Sequence, residues 1–189
     1  MYQEPKHIVS SYNANDIGRT LYDIVRTEQP KIVVEFGILY GYSTVCMAQA
    51  VRDNGFGKIL AYDMFDDYPY NHGERDIAIH NLEYYNLNSV VDVNELDFYE
   101  WLENPCEFDL LHFDISNDGG TLKHVESKLW SQIANGATIL FEGGSFDRDH
   151  INWMQKYNKE RMHPLRNSIP YEILRIEYPS LSKFKKRNG

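Results

Sequence analysis

The stretch Ile32-Val33-Val34-Glu35-Phe36-Gly37-Ile38-Leu39-Tyr40-Gly41-Tyr42-Ser43-Thr44 joins a short apolar run to the start of a helical pattern across two glycines. An apolar run of this length, stopped by Gly37, reads as a strand buried on both faces. From Tyr42 onward, Val45, Met47, Ala48 and Val51 recur at helical spacing, and Asn54-Gly55 closes the helix with a left-handed residue. Gly37 and Gly41 allow a tight strand-to-helix turn that brings backbone close to a ligand. Ser43 and Thr44 add hydroxyls at the helix start, where exposed N–H groups favour a carboxylate or another anion. The spacing is G-x-x-x-G rather than the G-x-G-x-x-G of dinucleotide sites, which disfavours a pyrophosphate.

Outward from this stretch the same alternation repeats. Upstream, residues 14 to 27 carry Ile17, Leu21, Ile24 and Val25 at helical spacing, with Asn13 as a candidate cap and Gln29-Pro30 as the stop. Residues 1 to 29 thus form an N-terminal helical segment. Downstream, strands are predicted over 58–62, 90–93, 109–113 and 137–141, with helices over 74–85, 98–102, 122–133 and 151–157. Trp130 lies on the third of these helices, and Asn135-Gly136 turns the chain into the last of these strands. Such alternation means a doubly wound, mostly parallel α/β sheet with right-handed crossovers. The end differs. Residues 171–177 and 181–185 read as strands separated only by Tyr178-Pro179-Ser180, too short for a crossover helix, so they pair antiparallel. The count is seven strands, and the 189 residues are expected to form one domain, since single cores split only beyond about 250 residues.

A formal charge of −9 argues against nucleic acid or an anionic membrane as partner, because both demand a positive footprint. The basic tail Lys183, Lys185, Lys186 and Arg187 reads as a solvated edge strand that discourages pairing with other chains. Cys46 falls in an apolar helical run and reads as a small core residue, and Cys106 lies far from it without metal-ligand spacing. With no run approaching a membrane span, the expected location is cytoplasmic.

In a doubly wound sheet ligands sit outside the carboxyl ends of the strands. The residues there are rich in acids: Asp63 to Asp67, Glu95 to Tyr99, Asp114 to Gly120 and Glu142 to Asp149, with Glu35 inside its strand. Burying a carboxylate without a partner is costly, so this distribution points to a site. Asp63, at the end of the second strand, is placed to accept both hydroxyls of a ribose. His112 sits within an apolar strand and reads as a buried neutral side chain. His72, His80 and His124 read as solvent-facing, and His150 stands at a helix start where it could serve as a base. Tyr68, Tyr70, Tyr84, Tyr85 and Trp101 form an aromatic-rich region read first as core packing, and otherwise as a wall for a ring.

Val33 to Gly37 through Gly41-Tyr42-Ser43 resembles the first motif of class I S-adenosylmethionine-dependent methyltransferases. The likeness is to the small catechol and caffeoyl-CoA-type O-methyltransferases and to related bacterial tailoring methyltransferases, over residues 30 to 145 and the terminal strand pair. That resemblance implies a Rossmann-like fold with S-adenosylmethionine as cofactor. It places Glu35, Gly37 and Ser43 at the methionine end, Asp63 at the ribose and Met64 and Asp97 beside the adenine. Leu39, Tyr42 and Phe98 complete the cofactor set. Residues 108–114 resemble the fourth motif, with Asp114 at the reactive end. Where metal-dependent relatives carry an Asp-Asn pair after the fifth strand, this chain has Glu142-Gly143-Gly144. Asp114 and Glu142 could supply two oxygen ligands to Mg²⁺, without the amide. Glu142 alternatively caps the next helix or pairs with Arg148.

The expected activity is methyl transfer to an oxygen nucleophile of a small molecule, a sugar or natural-product-like acceptor. Asp114, Glu142 and His150 are the candidate catalytic residues in that order. The alternatives are a binding module that keeps the fold without catalysis and, disfavoured by the glycine spacing, an NAD-dependent oxidoreductase. Residues 1–13, 65–75 and 158–170 are the candidate substrate lid, and an exposed edge or the aromatic N-terminus could support a homodimer.

Overall fold

Buried periodicity decides where the chain becomes strand and helix. The computed structural model describes residues 1–69, 72–129 and 136–185. Tyr70, Trp130, Ile133, Asn135, Lys186 and Arg187, along with the side chain of Lys185, lie outside that set. Contacts divide the chain into two units, Met1–Trp101 and Leu102–Gly189.

The first unit begins with a 3-10 turn, Ser11–Ala14, whose Tyr12 N–H is accepted by the Ser10 hydroxyl. It continues through α1 (Ile17–Glu28), β1 (Ile32–Phe36), α2 (Tyr42–Asn54), β2 (Lys58–Asp63), α3 (Arg75–Tyr84), β3 (Val91–Glu95) and α4 (Phe98–Glu103). The boundary between units falls within α4. Strands run in parallel order β3-β2-β1, with Glu35 in register with Ala61 and Asp63 with Glu95. Asn13 is not the α1 cap: Asp16 holds that position, and the Asn13 amide donates to Ile8 O. Gly55 ends α2 in the left-handed region at φ 78°, as the sequence predicts, and α1 stops at Gln29 as expected, there too in a left-handed conformation, φ 50°.

α2 is buried along ten consecutive residues, Tyr42 to Val51. Helical spacing alone predicts one buried stripe, so something must cover the other face. The cover is the patternless N-terminus. Gln3 N–H donates to Gln49 Oε1 at 2.7 Å, and Gln49 Nε2 donates to Gln3 O at 2.8 Å. Tyr2 and Tyr42 hydroxyls both donate to Glu4, and Tyr2 lies 3.7 Å from the Cys46 sulfur. A buried glutamine paired at both ends satisfies the rule that buried polar groups are hydrogen-bonded. In α3, Ile77 is exposed, whereas Ala78 and Leu82 face the core.

The second unit contains β4 (Leu110–Phe113), α5 (Gly119–Leu129), β5 (Thr138–Glu142), α6 (Phe146–Asp149), α7 (Asn152–Lys156), a 3-10 turn His163–Asn167, β6 (Glu172–Arg175) and β7 (Leu181–Lys185). β4 and β5 are parallel, β5 pairs antiparallel with β7, and β7 with β6. The terminal strands pair antiparallel as predicted. β7 is not an edge, however: it lies between β5 and β6, with Leu181, Ser182 and Phe184 buried. Its lysines therefore do not protect an edge, and the short, bulged β6 takes that position. The seven strands make the mostly parallel, doubly wound sheet that the alternation predicts, its antiparallel pairings being β5 with β7 and β7 with β6. Among the described residues no helix is long and apolar enough to cross a membrane.

Candidate functional site

In the first unit the loop after β1 is built around one carboxylate. Asp63 Oδ2 accepts the N–H groups of Ile38 at 2.7 Å and Leu39 at 2.9 Å, and Oδ1 accepts Phe65 N–H at 3.2 Å. A carboxylate offers about four lone-pair sites, so roughly one is left for a ligand hydroxyl. The sequence reading gave Asp63 both ribose hydroxyls; the structure gives it loop anchoring as well. Gly37 (φ 87°), Leu39 (φ 52°) and Gly41 (φ 86°) make the left-handed steps of the loop. The opposite wall closes tightly, since a Cβ on Gly73 would lie 2.0 Å from Leu39 O.

The loop delivers the chain into α2, whose cap Gly41 makes no side-chain bond to the first turn. The N–H groups of Tyr42, Ser43 and Thr44 therefore lack intrahelical acceptors and favour an anion. Gly37, Leu39, Asp63, Met64 and Asp97 are partly accessible around this opening, while Glu35, Tyr42, Ser43 and Phe98 are buried. The Tyr42 hydroxyl faces Glu4, and burial pushes its pKa upward. Asp97 caps α4, accepting the N–H groups of Tyr99 at 2.8 Å and Glu100 at 3.0 Å. Phe98 packs edge-on to Phe36 at 5.0 Å and stacks with Trp101 at 6.1 Å. Of the aromatic-rich region read first as core packing, Trp101 and Tyr85 are buried, Tyr68 is partly buried, Tyr84 is exposed, and Tyr70 lies outside the described residues.

In the second unit the acids after β4 and β5 have different surroundings. Arg148 Nε donates to Glu142 Oε1 at 2.9 Å and Oε2 at 2.8 Å, and both side chains are about 5% exposed. Ser180 N–H adds a contact to Oε1 at 3.3 Å. Of the two alternatives to a metal ligand, Glu142 takes the pairing with Arg148; the helix cap is Ser145, whose hydroxyl accepts Arg148 N–H. Burial raises the Glu142 carboxyl to about 7, with Asp114 adding to the rise and Arg148 and Ser180 opposing it. The guanidinium is itself fixed: Nη2 donates to Asn117 O at 3.2 Å, and the group lies 5.3 Å from the Trp153 ring.

Asn117, in the loop after β4, carries no sequence signal of its own, yet it is buried and ties two strand ends together. Its amide donates to Phe113 O at 3.1 Å and Glu142 O at 2.9 Å. Tyr178 was likewise read only as part of a turn. Burial raises its hydroxyl pKa, as do the charges of Glu142 and Asp114, while Arg148 lowers it. That electrostatic reach depends on the β6–β7 turn folding back to Glu142, which no local sequence signal shows. His150 ends α6 with Nδ1 2.7 Å from Phe146 O and its ring against Phe146, and His112 is buried.

Residues 142–144 do not fit a divalent metal. Both Glu142 oxygens are taken by Arg148, and among the described residues no group of three or more His, Cys, Asp or Glu is placed to hold one.

A family model described as a methyltransferase domain matches residues 34–142. No curated protein matches the sequence. Among solved structures, the chain resembles the O-methyltransferase TomG of Streptomyces achromogenes, involved in tomaymycin synthesis and bound to S-adenosylmethionine. The TM-score is 0.66 at 13% identity, covering 100% of this chain and 91% of that one. A Podospora anserina methyltransferase bound to S-adenosylhomocysteine gives 0.67 at 16% identity, covering 99% and 83%. An O-methyltransferase of Bacillus cereus, also with S-adenosylhomocysteine, gives 0.62 at 21% identity, covering 97% and 84%. At such identities the likeness is one of fold.

Proposed function

The chain belongs to the methyltransferase domain family, and from that premise we propose that it transfers the methyl group of S-adenosylmethionine to an oxygen nucleophile on a small molecule. The observation that carries the reading is the Asp63-pinned loop from Gly37 to Gly41 opening onto the uncapped start of α2. It offers N–H groups to a carboxylate and an acid to a ribose, without the glycine spacing of a pyrophosphate site.

In this reading the N–H groups of Tyr42 and Ser43 hold the cofactor carboxylate, with the buried carboxyl group of Glu35 in the strand before Gly37. Asp63 takes one ribose hydroxyl through its remaining lone pair, and Leu39, Met64, Asp97 and Phe98 border the adenosyl group. The cofactor supplies the electrophilic methyl group; the protein supplies alignment and electrostatics. Asp114 is the candidate to orient the acceptor hydroxyl and take its proton. Glu142, neutralised by Arg148, shapes the local field instead, and His150 ranks behind both. Two of the similar structures are O-methyltransferases, which supports an oxygen acceptor, and a sugar or natural-product-like molecule is the class proposed.

Calorimetric titration with S-adenosylhomocysteine tests the cofactor half, and no detectable heat from folded protein would sink it. Transfer of labelled methyl groups to a panel of hydroxylated acceptors tests the rest. The Arg148-occupied Glu142 favours a second reading, a fold kept for binding: cofactor binding with no turnover over the panel would select it.

A further inference from the structure

The second unit carries a cation of its own at the acid centre. We infer that Arg148 is the resident cation of the Glu142 centre, standing where a divalent metal would otherwise be held, so that the protein works without metal. The inference rests on the reading of Asp114 and Glu142 as the acceptor side of a methyltransferase.

Four observations converge. First, the Arg148 Nε contacts at 2.9 and 2.8 Å use both Glu142 oxygens, and Ser180 N–H takes a further site on Oε1. A hard cation needs about six oxygen ligands, and displacing a bonded guanidinium to obtain one carboxylate is a poor exchange. Second, the guanidinium is built in. Ser145 caps the short α6 that carries it, Asn117 O accepts from Nη2, and Trp153 lies beside it. Arg148 is 4% exposed, so the charge cannot swing into solvent without breaking these contacts.

Third, position 143 disfavours any side chain that could act as a ligand, because its backbone is in a region that residues with a Cβ rarely adopt and Met162 fills the space beside it. Gly143 has φ 118°, and a Cβ built there would lie 2.0 Å from Met162 Cε and 2.9 Å from its Sδ. Real Cβ atoms do not approach so closely, so an amide cannot be added without moving Met162. Fourth, the Glu142–Gly144 turn is held from its other side: Ser182 Oγ donates to Gly143 O at 2.7 Å, and the Tyr171 hydroxyl donates to Gly144 O at 2.9 Å. Backbone fixed in this way cannot rotate to offer its carbonyls to an ion. Arg148 is therefore a positioning residue: it holds Glu142 in place and supplies permanent positive charge beside the acids.

The test is Mn²⁺ binding followed by electron paramagnetic resonance on the full chain, with and without S-adenosylhomocysteine. Calorimetry on the same samples reports cofactor binding separately, so failure of the methyltransferase reading is seen on its own. The wild-type protein is expected to leave the free Mn²⁺ signal undiminished, and chelator is expected to leave its melting temperature unchanged. Arg148→Gln is expected to bind Mn²⁺, and adding Glu142→Gln to that variant to abolish the binding. Stoichiometric Mn²⁺ uptake by the wild type, lost in Glu142→Gln, would overturn the inference, and this arm does not depend on the Arg148 variant folding.

Discussion

The Asp63 carboxylate holds Leu39 N–H at 2.9 Å, at a residue whose φ of 52° is left-handed. A non-glycine residue in that region costs roughly 1–2 kcal/mol, and hydrogen bonds to a charged acceptor contribute about 1.5–3 kcal/mol. The acid thus keeps the loop in a shape it would not hold alone. Asp63→Ala is expected to lower the melting temperature by several degrees, at about 2–4 °C per kcal/mol for a chain of this size. S-adenosylhomocysteine should bind it at least about tenfold more weakly, a loss of about 1.4 kcal/mol. Unchanged affinity by calorimetry would show that loop shape and ribose capture both lie elsewhere.

Gly73 faces the same loop from the opposite side. Its Cβ position lies 2.0 Å from Leu39 O and 2.3 Å from Leu39 C, backbone atoms that cannot rotate away. Gly73→Ala should therefore displace the loop, at the 1–3 kcal/mol typical of overpacking. The expected result is weaker S-adenosylhomocysteine binding in a folded protein. A variant with wild-type affinity would mean that the 72–74 segment moves aside freely.

The Arg148–Glu142 pair makes a prediction with a definite sign. Burial raises the folded-state Glu142 carboxyl from 4.5 to about 7, so the folded protein holds this proton longer than the unfolded chain. The resulting stability is fully present below about pH 4.5 and is lost as pH rises through about 7. The stability of wild type minus that of Glu142→Gln should accordingly fall between pH 5 and pH 8, measured by denaturant titration. Arg148→Met should cost about 3–5 kcal/mol at pH 8, and less at pH 5, where Glu142 can take up a proton. A pH-independent difference between wild type and Glu142→Gln would contradict the raised value.

The two cysteines should differ sharply in reactivity. Burial raises the Cys46 thiol, and Tyr2 lies over it, whereas Cys106 is exposed. Only the thiolate reacts, so native alkylation followed by mass spectrometry should label Cys106 and spare Cys46. Tyr2→Ala should open Cys46 to the reagent without unfolding the protein. Labelling of Cys46 in the native wild type would show that the N-terminal cover lifts readily.

Periodicity and punctuation carried most of the architecture. The apolar run to Phe36, the glycines on either side of Leu39 and the acid ending β2 each had a local cause visible in the chain, and all lie where expected. What escaped was tertiary. The Gln3–Gln49 pairing and the Glu4 bridge between Tyr2 and Tyr42 join a patternless segment to a helix far along the chain, and no spacing rule reaches that distance. α6 is only four residues long, too short for a periodic signal, although it carries Arg148. The pairing of Glu142 with Arg148 was one of the open readings because six residues can bring the two together. In the structure the pair is held by Asn117, Ser180 and Trp153, from three other segments that no local spacing connects. β7 reads as an edge by its lysines, but the turn through Pro179 returns it between β5 and β6.

The methyl group of Met162 packed against Gly143 has a consequence for how this centre could change over successive mutations. Loss of the guanidinium at 148 frees Glu142 for a metal, but a centre with an amide ligand also needs that amide at 143 and a displaced or shorter side chain at 162. Each step alone leaves a void, a clash or an unpaired buried acid, and neighbouring changes of this kind are not additive. A walk through single substitutions therefore crosses less stable intermediates, and the same barrier opposes travel in the other direction. The two kinds of centre are neighbours in shape but separated by a ridge in sequence.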